Sequence, residues 1–227
     1  MLNLIAASAC FLLIHFGVSG TKLRDVLVAR LGPGPYRGAF ALASIVGLVW
    51  MIYAFRHAPA VPLWGLVLGF RPAAYLLVLI AFLFGVIGLV TPSPTRVGME
   101  SKLKQGPDVA RGMVRITRHP FLWAVALWAL VHLVINGELA ALILFGSLLV
   151  LALGGTAAID AKRRRAFGDQ WTQFAAVTSN IPFVAIATGK NRLLPALREI
   201  GLWRPLAALV VYTIAFYLHG RIGPSLG

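Results

Sequence analysis

The side chains of this sequence with chemistry to offer are five histidines and the arginine beside one of them. His15 sits in LLIHFG and His132 in WALVHLV, both flanked by apolar residues. An ionisable group in hydrocarbon is costly unless partnered, so such residues are functional candidates. One reading is an interhelical hydrogen bond; the other is ligation of a metal or a haem. Zinc normally takes three or four ligands. The single cysteine, Cys10, excludes a thiolate cluster and an intrachain disulfide. Haem needs only one or two axial side chains and an apolar pocket. In RITRHPF, Arg118 and His119 precede Pro120, which is favourable in a helical first turn. That pair reads either as a basic interfacial anchor or as a binding element. In the second reading Arg118 grips a carboxylate or phosphate bidentately, and His119 is a second ligand or a proton donor. A haem propionate is one such carboxylate. His57 and His219 fall at the outer ends of spans, where headgroup contact suffices.

The elements that position these residues are membrane helices. Of 227 residues, 59% are hydrophobic and 12% charged, against about 25% charged in soluble domains. Mean hydropathy is +0.83. This composition excludes a soluble globular enzyme. Stretches approaching the roughly 17–25 residues that cross hydrocarbon are Leu2–Val18, Gly38–Phe55, Ala73–Val90, His119–Ile135, Leu139–Ile159 and Pro205–His219. The first lacks a basic start and is too long for a secretory leader, so it reads as a retained helix. The expected fold is all-α: residues 1–227 form a single polytopic integral membrane helical bundle of about six transmembrane helices, with interfacial amphipathic helices.

The net charge of +14 follows topology. Segments 19–37, 91–118 and 160–204 hold 18 of the 21 Lys and Arg, leaving Arg56, Arg71 and Arg221 on the other side. This is a positive-inside pattern. It places both termini outside and loops one, three and five in the cytoplasm, and makes anionic lipids, not nucleic acid, the expected counter-charge.

The loops add local expectations. TKLRDVLVARL (21–31) spaces Leu23, Val26, Leu27 and Leu31 for an amphipathic interfacial helix. Gly32-Pro33-Gly34-Pro35 should break the chain before the second span. Segment 58–70, with Pro59, Pro62 and Trp64, reads as an outer interfacial segment. Arg163-Arg164-Arg165 reads as a stop-transfer anchor. Phe167, Trp171 and Phe174 suggest an interfacial helix over 167–177. The third loop, with Gly106-Pro107, is the expected mobile element.

Through LLIHFG, ARLGPGPYRGAFALAS, MVRITRHPFLWAVALWALVH and AFGDQWTQFAAVTSNIPF, most of the chain resembles the NnrU family. That family is related to the plant and cyanobacterial 15-cis-zeta-carotene isomerases. The resemblance implies a polytopic membrane protein associated with denitrification and with nitrite or nitric oxide reduction. Its isomerase branch implies haem b with His15 and His132 as iron ligands and a hydrophobic small-molecule substrate. That branch's alternative cysteine ligand falls on Ala129, so ligand switching through it does not carry over. Depth also bears on the pair. His15 lies about 6 Å and His132 about 20 Å from the inner ends of their spans. They bracket one haem only if its axis tilts towards the membrane normal; otherwise the span ends shift or His119 replaces one ligand. RHP also occurs in membrane methyltransferases, whose acidic pair could here be only Glu138 and Asp160. Walker, GxGxxG and HExxH motifs are absent.

Overall fold

The computed structural model describes residues 1–65 and 68–222; Leu66 and Val67 of the outer segment, and residues 223–227, lie outside the described residues. Among the described residues the regular structure is helical, with one isolated bridge between Pro62 and Glu138. Helix α1 (Leu2–Leu12) passes without interruption into a wider π-helical stretch, Leu13–Ser19, that carries His15. The expected interfacial helix is α2 (Lys22–Leu31), started by the Thr21 hydroxyl accepting from the Leu23 amide at 3.2 Å. Leu23, Val26 and Leu31 stay exposed along it, as an edge meeting lipid should.

The Gly-Pro-Gly-Pro break is a single residue wide. Gly32 turns at φ +83, and α3 (Pro33–Arg56) begins at once, five residues before the expected Gly38. Two prolines fit its first turn because the amides they lack have no intrahelical acceptor there. Next come α4 (Arg71–Val90), the one-turn α5 (Met113–Ile116), α6 (Pro120–Asn136) and the long α7 (Leu139–Val177). The chain closes with α8 (Val184–Ala187), α9 (Leu193–Ile200) and α10 (Trp203–Ile222).

Among the described residues, four helical segments are long and apolar enough to cross a membrane: Leu2–Ser19, α3, α4 and α7. The α9–α10 pair, bent by 70°, makes a fifth if taken as one span, and α6 is a shorter apolar helix of 17 residues. Large apolar side chains remain on the outside, among them Leu42, Ile45 and Val49 of α3 and Leu206, Val210 and Ile214 of α10. Lipid, not water, is the solvent that suits them. The protein is a membrane-embedded all-α bundle.

The chain forms two compact units: Met1–Pro72 with Ala129–Ile159, and Ala73–Trp128 with the chain from Asp160 onward. In the first unit, α1 packs on α3 where Gly47 admits the Phe11 ring. The Trp50 indole donates to Asn3 Oδ1 at 3.0 Å. Segment 58–70 is tied to the α6–α7 turn: the Leu63 and Trp64 amides donate to the Gly137 carbonyl, and the Trp64 indole to that of Val134.

The second unit corrects three expectations. The third loop is not a free element. It forms a 3-10 helix over Glu100–Val109, kinked at Gly106, with Leu103 fully buried. Trp171 and Phe174 are fully buried against Leu103, Val109 and Val114, so the stretch 167–177 packs protein instead of lying on lipid. Burying such a side chain stabilises by roughly 1.5–3 kcal/mol, which favours closing this cluster. The Arg163–Arg165 run does not end the fifth span's helix, which continues to a kink at Gly168 (φ +46). Arg163 is itself buried and paired with Glu100 at 2.7 Å.

Candidate functional site

Three chain segments meet around Arg118 and His119. After α5 the backbone extends at Thr117, since the residues leading into Pro120 cannot remain helical. Hydrogen bonds on both sides hold the extended stretch. The Arg118 amide donates to the Ser179 carbonyl at 3.0 Å, and the Arg118 carbonyl accepts from the Thr95 hydroxyl at 2.6 Å. The Thr117 hydroxyl donates to the Asn180 carbonyl, which also accepts from the Trp123 indole at 2.8 Å.

The side chains so aimed converge on Asp160 of α7. Arg118 Nη2 donates to Asp160 Oδ2 at 2.7 Å and Nε to the same oxygen at 3.0 Å. His119 Nε2 lies 2.6 Å from Asp160 Oδ1. The Arg118 guanidinium also donates to the Thr178 carbonyl and sits 5.4 Å above the Trp171 ring centre. The side chains are nearly closed to solvent: 11% exposed for Arg118 and Asp160, 1% for His119. Arg118 thus finds its bidentate carboxylate inside the chain. With Nε2–H given to the carboxylate, His119 Nδ1 carries the lone pair, and it has no hydrogen-bond partner among the described residues. The arrangement is an oriented imidazole backed by a buried anion, able to accept a proton or ligate through Nδ1.

The other two histidines belong to the first unit. His15, half-buried in the π-helical stretch, donates Nδ1–H to the Phe11 carbonyl at 2.8 Å. A carbonyl can only accept, so this bond fixes the tautomer and puts the lone pair on Nε2. The ring stands against Phe11 at 4.5 Å and Phe40 at 5.3 Å, and Nε2 has no partner among the described residues. The bond to Phe11 orients the ring and leaves Nε2 able to act as a metal or haem ligand. His132, also half-buried, packs on Phe145 at 5.0 Å. Ala129, one turn before it, is fully buried. His57 is exposed and bonded to the Tyr53 carbonyl, as its place at a span end suggested. Among the described residues, no group of three His, Cys, Asp or Glu could hold a metal ion.

Sequence reasoning placed His15, His132, His119 and Arg118 in one cofactor-binding set; His15 and His132 belong to the first unit, and Arg118 and His119 to the second. It missed Asp160 as their partner. The available signal was an acid closing an apolar span immediately before a basic run, AAIDAKRRR. Thr95, Thr178 and the 179–180 backbone carried no comparable signal.

Polytopic helices with apolar exteriors, a buried Arg–His–Asp cluster and an anchored intramembrane histidine define a membrane-embedded helical protein with a polar site in its interior. The model of the NnrU protein family matches residues 3–225, and the chain belongs to that family. It is also similar to the 15-cis-zeta-carotene isomerase, chloroplastic, of Arabidopsis thaliana, 26% identical over 217 residues. The match covers 92% of this chain and 57% of that relative's length. No solved structure matches.

Proposed function

We propose that this protein binds haem b within its first unit, where His15 and His132 are the residues that would hold it. The observation that carries the reading is the His15 ring, pinned through Nδ1 to the Phe11 carbonyl with Nε2 unpartnered against an aromatic wall. Haem held by these two histidines would supply one-electron chemistry. The chain's own part is to orient the imidazole, exclude water with Phe11 and Phe40, and hold the Nδ1 proton. His119 and Arg118 belong to the second unit, where both are committed to Asp160. The role proposed is redox or nitric-oxide-related, in denitrification, in a bacterial inner membrane with periplasmic termini and anionic lipids around it.

Detergent-purified protein expressed with ample haem should show a Soret band. His15→Ala should abolish or shift it, His132→Ala should weaken it, and His57→Ala should leave it unchanged. Colourless wild-type protein overturns the proposal.

The named relative favours a second reading, haem-dependent cis–trans isomerisation of a carotenoid-like polyene reached from the bilayer. Incubation with 15-cis-zeta-carotene tests it, and absence of isomerised product from haem-loaded protein rejects it. The methyltransferase reading gains no support, because both Asp160 oxygens are occupied by Arg118 and His119.

A further inference from the structure

A second polar site lies in the second unit, away from any residue used above. A cavity of about 390 Å³ opens between the end of the third loop, α9 and the turn before it. Its charged wall is Asp108, Arg111, Arg115, Lys190, Arg192 and Glu199. Two of these neutralise each other. Arg115 grips Glu199 with Nε on Oε2 and Nη2 on Oε1, both at 2.8 Å, and Glu199 also accepts from the Gly112 amide. Asn191 fixes the floor: Oδ1 accepts from Arg115 Nη1 and Nδ2 donates to the Val177 carbonyl, each at 2.9 Å.

What remains is Arg111, Lys190 and Arg192 against the single charge of Asp108. The Lys190 and Arg192 side chains make no hydrogen bond or ion pair among the described residues. Arg192 also stands at the N-terminal end of α9. A surplus of two positive charges in a polar cavity matches a phosphate group of about −1.5 to −2.

We propose that this cavity binds a phosphate oxyanion, held by Lys190, Arg192 and Arg111. The group is either a soluble phosphate compound or the phosphate of a lipid headgroup at the basic membrane face. The site is independent of haem, and the Soret band of the same preparation reports that reading separately.

The test is thermal unfolding of the full chain in detergent, titrated with inorganic phosphate or with dihexanoyl phosphatidic acid. Dihexanoyl phosphatidylcholine serves as the control. The expected result is saturable stabilisation by one or both anionic probes. Lys190→Gln combined with Arg192→Gln should weaken it about tenfold or more, from lost charge-assisted hydrogen bonds. Arg111→Gln should weaken it independently, and Arg164→Gln with Arg165→Gln, equal in charge but elsewhere, should not. Stabilisation by phosphate identifies a soluble ligand, and stabilisation by phosphatidic acid alone identifies a lipid headgroup. No stabilisation by either, or equal weakening in the two double variants, overturns the site.

Discussion

At the scale of single residues, Asp160 has the largest consequence. Its carboxylate is shared by a guanidinium and an imidazole in a nearly closed site. Taking charges out of water costs several kcal/mol each, and mutual attraction offsets this only while every partner stays in place. Asp160→Asn keeps the shape and removes the counter-charge, leaving Arg118 buried and unpaired. It should destabilise by about 3–5 kcal/mol, read as a lower melting temperature of the purified protein. Removing Arg118 and Asp160 together, each to Leu, should recover part of that loss. An Asp160→Asn protein that melts with the wild type would show that the pair does not hold the fold.

At the scale of elements, the decisive features are turns that bring chain segments within hydrogen-bonding reach. Gly137, at φ +59 between α6 and α7, accepts at its carbonyl from Leu63 and Trp64. A Cβ at that position would sit 2.2 Å from the Trp64 carbonyl oxygen. Gly137→Ala must therefore displace the 61–64 segment and accept strain of about 1–3 kcal/mol from the left-handed backbone. Amide hydrogen exchange at Leu63, Trp64 and Leu139 should accelerate, while exchange in the second unit stays as it was. At Gly168, where a Cβ meets nothing within 4 Å, only the backbone strain applies and the effect should be smaller.

At the scale of the whole molecule, charge sets both orientation and acid response. Alkaline phosphatase fused after residues 60 and 137 should be active, and after residues 105 and 190 inactive. The opposite pattern would invert the membrane orientation. The hydrogen bonds from Arg115 hold the Glu199 carboxyl below its ordinary range, against partial desolvation. A carboxyl depressed in the folded state contributes stability that is complete above its unfolded pKa and is lost as pH falls through the lower folded value. The melting-temperature difference between wild type and Glu199→Gln should therefore hold from neutral pH down to about 4.3, the ordinary glutamate value, and shrink below it. A difference that already vanishes by pH 6 contradicts the ion pair.

The sequence by itself determined the solvent, the helices and the candidate histidines. Hydropathy is summed over a window of chain, and positive charge is segregated by loop, so neither needs a fold to be read. Arg118-His119-Pro120 was equally legible, because proline imposes its geometry on its immediate neighbours. The partner of that motif was not legible. Asp160 is 41 positions beyond His119, and although its place between an apolar span and a basic run marks it, nothing local says which residue it pairs with. The same holds for Leu103 against Trp171 and for Arg115 against Glu199. Periodicity showed that Trp171 and Phe174 share a helix face, but not whether lipid or protein covers it. Only tertiary structure decided that, because burial and ion pairing depend on residues distant in sequence being packed together.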